Sequence, residues 1–322
     1  MMTDWKPKLS RYTAGGDARR FARKVEDRIY RSIGGRTSGF MYDGRVADEH
    51  TAATLLRDAL VRSSPQAISR LGANEQRVLF SYQSRLAGGK DYSSDVRHDI
   101  SAQAGVHPND SSTLDKFAEL YLSCIPNLDM LGVWFHRAER LLVKRVVGLD
   151  ANLVPLRCFD PLATQPNWAA SLSGRRVCVV HPFAKSIEAQ YARRREIFSD
   201  ERYLPDFDLQ VVRAVQGIGG LSEDFSSWFD ALDSMSEAMA KTRADIVLIG
   251  AGAFGLPLAV RAKEAGMTGF HVGGGLQLMF GIIGRRWEGS ESVSRLINEY
   301  WVRPLPEETP FASKAVENAC YW

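Results

Sequence analysis

The strongest constraint on this chain lies in its second half, where short unbroken apolar runs alternate with amphipathic ones. RRVCVV (175–180), LQVVRAV (209–215), DIVLIG (245–250) and GFHVGG (269–274) show no polar alternation, so each reads as a strand buried on both faces. Between them lie helical patterns, SIEAQYARRREIF (186–198), SSWFDALDSMSEAMAKTR (226–243) and LPLAVRAKEAG (256–266). Strands and helices in this order need crossover connections, and the crossovers leave the strands parallel. The expected fold class is therefore α/β, a Rossmann-like, mainly parallel sheet with helices on both faces.

The first half is less regular. PQAISRLG (65–72) is the first strand candidate, short and closed by Gly72. DARRFARKVEDRIYRSI (17–33) and ADEHTAATLLRDALVRS (47–63) carry apolar residues at helical spacing. The run from Ser111 to Val147 reads as two helices broken at Pro126, and Val154 to Gly174, with Pro155, Pro161 and Pro166, as a connector. These patterns divide the chain into a basic helical N-terminal segment, residues 1–60, and a Rossmann-like domain, residues 61–322.

Lys and Arg total 41 against 38 Asp and Glu, too even a balance to suggest a nucleic-acid partner by itself. The excess is local: residues 1–90 hold 17 basic and 9 acidic residues, leaving −5 for the remainder. Those basic residues would serve either a phosphate backbone or a solvated helix face. Cys124, Cys158, Cys178 and Cys320 are widely spaced, which suggests neither a zinc site nor a disulfide framework and suits a reducing compartment. The chain shows no signal-peptide core and no apolar run of spanning length, so a cytoplasmic location without a transmembrane segment is expected.

In parallel sheets ligands collect at the carboxyl ends of strands, and four such ends carry unusual residues. RLGANE (70–75) offers Arg70, Gly72, Asn74 and the carboxylate of Glu75. HPFAKSIEAQY (181–191) places His181, Pro182, Phe183, Lys185, Ser186 and Gln190 at the start of a helix, whose free N–H groups suit a diphosphate; Ser186 would equally serve as a cap. GAGAFG (250–255), with Gly250, Gly252, Phe254 and Gly255, has the G-x-G-x-x-G form of a phosphate loop. HVGGGLQLMFGIIGRRW (271–287) contributes His271, Gly273, Gly274, Gln277, Arg285 and Arg286. A dinucleotide site would want an acidic residue where His271 stands, so an NAD(P)-binding oxidoreductase is the secondary reading of the glycine loop.

Read together, RLGANE, HPFAKSIEAQYARRREIF, ADIVLIGAGAFGLPLAVRAKEAG, HVGGGLQLMFGIIGRRW and the tail YWVRPLPEETPFASKAVENACYW resemble bacterial glycosyltransferases of the fold D type. The resemblance runs from Arg70 to the C-terminus. It implies a Rossmann-like sheet, a nucleotide-diphosphate sugar such as a UDP-sugar as donor, and a hydroxyl acceptor. The family's first strand ends in an Arg, an apolar residue and Gly-Asp-Gly-Glu, whose Asp-x-Glu pair serves metal and catalysis. Here the Asp position is Ala73 and the second Gly is Asn74, which leaves Glu75 alone to hold Mn²⁺ or Mg²⁺.

The expected roles follow from the resemblance. Glu75, with His271 as a second candidate, would act at the reacting sugar, and His181 would orient the donor. The diphosphate would lie on HPFAKS and GAGAFG, assisted by Arg285 or Arg286. A cell-surface glycan or glycolipid is the expected acceptor. Hydroxylated bases of phage DNA, reached through the basic N-terminal segment, are the alternative, and a non-catalytic nucleotide-binding protein is a third reading.

Overall fold

The computed structural model describes residues 42, 45–135, 137–145, 150–162, 167–217, 225–311, 313–315 and 319–322. The helix expected over 17–33 lies outside the described residues, and with it most of the basic segment.

Seven strands form one sheet: β1 (Ala67–Arg70), β2 (Met130–Val133), β3 (Asn152–Pro155), β4 (Arg176–His181), β5 (Asp208–Arg213), β6 (Ile246–Ile249) and β7 (Thr268–His271). Every pairing is parallel, in the order β3-β2-β1-β7-β6-β4-β5. The α/β, Rossmann-like expectation therefore holds. Side chains of β2, β4, β6 and β7 are buried almost throughout, as strands covered on both faces must be.

One face carries α2 (Ala73–Leu86), α3 (Ser94–Ala104), α4 (Ser111–Cys124), α8 (Trp228–Lys241) and α9 (Gly255–Glu264), packed around Phe117, Tyr121, Trp228 and Phe254. The other carries α1 (Glu49–Val61) and α6 (Ala184–Ala192), with Trp168, Phe183 and Phe270 at its centre. Phe270 meets Phe159 and Trp168 edge-on, with ring centroids 4.8 and 4.9 Å away. The remaining helices, α5 (Arg137–Arg145), α7 (Arg194–Ile197) and α10 (Glu291–Ser294), are connectors. Helix starts follow side-chain capping: Asp48 accepts from Thr51 N–H at 2.9 Å, and Asp110 from Thr113 N–H at 3.0 Å.

Three sequence expectations change. LDMLGV is not the start of a second helix but contains β2, which sits between β1 and β3 and is buried on both sides. A short apolar run has no period that distinguishes buried strand from buried helix. The connector expected over 154–174 on its three prolines overlaps β3, since Pro155 is tolerated as the last residue of that edge strand. Finally, α1 belongs to the sheet domain: Leu56 and Leu60 are fully buried in the Trp168 face, and Val46 pairs with Leu153. No described helix is long and apolar enough to cross a membrane.

Candidate functional site

The carboxyl ends of five adjacent strands, β2-β1-β7-β6-β4, open into a cavity of about 310 Å³. Each contributes a residue: Trp134 just after β2, Arg70 ending β1, His271 ending β7, Gly250 after β6, and His181 ending β4. Because the strands are parallel and in register, with Arg70 opposite Gly132 and Ile249 opposite His271, side chains distant in sequence arrive at one level.

Glu75 stands in the first turn of α2, 8% exposed, with its carboxyl folded back over Gly72. A Cβ on Gly72 would fall 1.9 Å from Glu75 Oε2, so only glycine allows this pose. Burial pushes the carboxyl above its ordinary pKa; its own backbone N–H and the Arg70 charge oppose the rise. Glu75 thus combines a raised pKa with access to the cavity, the conditions for a general base or acid.

The Arg70 guanidinium lies over the Trp134 ring, 4.5 Å from its centroid. It also fills the space a side chain at Gly273 would need, a Cβ there falling 2.9 Å from Nη1, and Gly273 has φ +87°, open only to glycine. Burial lowers its pKa from the ordinary value and Arg286 adds to that, while the Tyr321 hydroxyl, Glu75 and Glu139 favour its charge.

Both histidines are neutral at physiological pH, because burial holds each imidazole down at about 3. His181 Nδ1 accepts the Phe183 N–H at 3.0 Å, which puts the proton on Nε2 and makes that nitrogen a donor. His271 Nδ1 lies 3.1 Å from Ser69 Oγ. The imidazoles also account for two glycines of the G-x-G-x-x-G loop: a Cβ at Gly250 would meet His181 Cδ2 at 2.4 Å, and one at Gly255 would meet His271 at 2.2 Å. Gly252, at φ +54°, has open space around it. Neither Ala251, Gly252 nor Ala253 donates its N–H to a backbone acceptor among the described residues, so these groups remain available at the cavity wall.

No family model, curated protein or solved structure matches the chain. The residues themselves carry the reading. Of the sequence-derived site residues, the cavity brings together Arg70, Gly72, Asn74, Glu75, His181, Pro182, Phe183, Gly250, Gly252, Phe254, His271, Gly273, Gly274, Gln277 and Arg286.

Five others lie elsewhere. The α6 N-terminus expected to hold a diphosphate already holds a carboxylate: Glu308 Oε1 accepts the Lys185 N–H at 2.7 Å, both Glu308 oxygens lie 3.3 Å from the Ser186 N–H, and the Ser186 hydroxyl donates to Oε2. Lys185 and Ser186 are thus committed to a cap that the chain supplies to itself from 122 or more residues away. Gln190 is buried and donates to the carbonyls of Phe280, Gly281 and Tyr300, fixing α6 to the C-terminal segment. Gly255 is small for His271, as above, and Arg285 is exposed outside the cavity. Gln277 reaches the wall, yet its Nε2 is spent on the carbonyls of Ile282 and Tyr321, each at 3.1 Å.

Trp134, Tyr321 and Trp322 line the cavity but were missed as site residues. Trp134 was hidden because its strand was read as helix. The C-terminal aromatics are drawn in by contacts from remote residues: Gln277 holds the Tyr321 carbonyl, Arg286 donates to the Tyr321 hydroxyl at 2.8 Å, and Trp322 Nε1 donates to the Glu308 carbonyl at 3.1 Å.

The donor set does not suit a divalent metal. No three His, Cys, Asp or Glu side chains are gathered for one among the described residues. Ala73 supplies no ligand, Asn74 turns its amide to Gln103 at 3.0 Å, and Glu75 has the Arg70 cation beside it. Mg²⁺ and Mn²⁺ want several oxygen ligands.

Proposed function

We propose that the protein is a glycosyltransferase that moves a sugar from a nucleoside-diphosphate sugar to a hydroxyl acceptor. The observation that carries this reading is that Glu75 and Arg70 line the same cavity at the carboxyl ends of a parallel sheet. A carboxyl of raised pKa and a cation face one cavity, with a neutral imidazole N–H and a glycine loop opposite. Glycosyl transfer needs those parts: a base for the incoming hydroxyl and positive charge or N–H donors for the leaving diphosphate.

In this scheme the acceptor oxygen attacks the anomeric carbon, the bond from that carbon to the diphosphate oxygen breaks, and Glu75 takes the hydroxyl proton. Arg70, His181 Nε2–H and the N–H groups of 251–253 receive the charge on the departing diphosphate. His271, neutral and held by Ser69, positions rather than titrates. Tyr321, Trp322 and Trp134 supply flat apolar walls, the surface on which a nucleobase or sugar ring rests. The acceptor is proposed to be a cell-surface glycan or glycolipid and the site of action the cytoplasm.

The test is thermal stabilisation by a panel of nucleoside diphosphates and their sugars, followed by turnover with the donor that binds. Stabilisation by one nucleotide sugar, with Glu75→Gln keeping that stabilisation and losing transfer, is the expected result. Stabilisation by NAD alone would replace this reading with an oxidoreductase, and full activity in Glu75→Gln would remove the base.

A further inference from the structure

Arg70 has an unusual position for a cation. Its guanidinium points into a cavity at the centre of the sheet, yet makes no hydrogen bond and no ion pair among the described residues. Two carboxylates are near. Glu75 lines the same cavity, and Glu139, fully buried, spends one oxygen on the Tyr42 hydroxyl at 2.8 Å and the Trp134 N–H at 2.7 Å. Neither comes within ion-pairing reach of Arg70. Its five N–H donors are held in place by the Trp134 ring on one side and the bare Gly273 backbone on the other.

A guanidinium kept without a partner and backed by a ring is preorganised for a planar or bidentate anion. Other groups around it match a polyanion. The His181 Nε2 carries a proton, and the N–H groups of residues 251–253 are free of backbone acceptors. Arg286 adds a second cation at the rim.

Metal ligation is disfavoured by the same atoms. The imidazole nitrogen of His181 left at the cavity is a donor with no lone pair to give, and a divalent ion on Glu75 would lie beside the fixed charge of Arg70. We infer that the cavity binds the diphosphate of its donor through Arg70, a fixed organic cation that takes the place of a divalent metal. This rests on the glycosyltransferase reading for the identity of the ligand, but not for the anion chemistry itself.

Calorimetric titration of the full chain with UDP and with inorganic pyrophosphate, in EDTA and again with Mn²⁺, tests it. Both ligands should bind in EDTA, with affinities changed less than about twofold by Mn²⁺. Arg70→Gln should weaken both by about tenfold or more, and Arg70→Lys should lie between, since it keeps the charge without the fork. Equal melting temperatures would show that the variants fold; if Arg70→Gln does not, Arg70→Lys and the metal arms decide. Binding that needs Mn²⁺, or strengthens tenfold with it, would overturn the inference and leave the proposed function standing; unchanged affinity in a folded Arg70→Gln would overturn the inference and take Arg70 out of the proposed scheme. Metal-free pyrophosphate binding that depends on Arg70, with no nucleotide sugar bound or turned over, would sustain the inference and remove the proposed function. No binding of either ligand under any condition would overturn both.

Discussion

Gly255 begins α9 with φ −61°, a conformation any residue adopts, so its small size must answer to something else. An added Cβ would fall 2.2 Å from His271 Cδ2 and Nε2 and 2.5 Å from Cε1, inside the imidazole ring. The ring has little room to retreat, being 5% exposed and held 3.1 Å from Ser69 Oγ. Gly255→Ala should therefore force the ring off Ser69. Overpacking costs about 1–3 kcal/mol, and the lost hydrogen bond about 1 kcal/mol more. Helix propensity acts the other way, Ala being better than Gly by about 1 kcal/mol in a helix interior and less at its first residue. The net expectation is a loss of about 2 kcal/mol.

His271→Ala removes the obstacle, and in that background Gly255→Ala should be neutral or stabilising. The coupling between the two sites is thus about 2 kcal/mol, well above the few tenths expected for independent positions. Denaturant midpoints for the wild type, both single variants and the double variant measure it, with Gly275→Ala, whose Cβ would meet nothing within 4 Å, as the control. A Gly255→Ala protein as stable as the wild type, or a loss of the same size with and without His271, would refute the steric account. The G-x-G-x-x-G pattern would then need its phosphate explanation back at this residue.

Three further expectations can be checked. The two buried imidazoles titrate near 3 when folded and near 6.5 when unfolded, so below pH 6.5 the unfolded chain binds protons the native state refuses. Each therefore withdraws up to about 1.4 kcal/mol of stability per pH unit as pH falls towards 3. Buried Glu139, raised to about 7, acts oppositely: its native state holds a proton that the unfolded state has lost above the ordinary carboxylate range, so stability drops as pH rises to 7. His271→Gln should thus flatten the acid limb of a stability–pH curve by about one proton, about 1.4 kcal/mol per unit; an unchanged slope would place the native imidazole pKa near its ordinary value. Glu308→Gln should lower stability by about 1–2 kcal/mol through the weakened cap of α6. Its nucleotide affinity should stay the same, whereas a large change in affinity would return the diphosphate to that helix.

The alternation of apolar strands and amphipathic helices in the second half of the sequence is enough to specify a parallel sheet, because strands buried on both faces leave no other pattern. Three of the four strand-end motifs follow from that alternation and RLGANE from the first short apolar run, and fifteen of the expected site residues line one cavity. The edge of the reading was the first half, where LDMLGV and NLVP are too short to show a period and carry a glycine or a proline that disguises a strand. Trp134 was lost with its strand.

Tertiary structure decided what each motif is for. A helix N-terminus is an anion site whichever anion arrives, and the chain sends its own Glu308 carboxylate back to α6, a pairing across 123 residues that local sequence does not contain. The glycine loop tells the same story, since no spacing rule distinguishes a glycine kept small for a phosphate from one kept small for an imidazole. Only the register of β6 against β4 and β7 brings His181 and His271 against Gly250 and Gly255. Local sequence fixes which backbone groups are free at a strand end; long-range packing determines whether a ligand or the protein itself takes them.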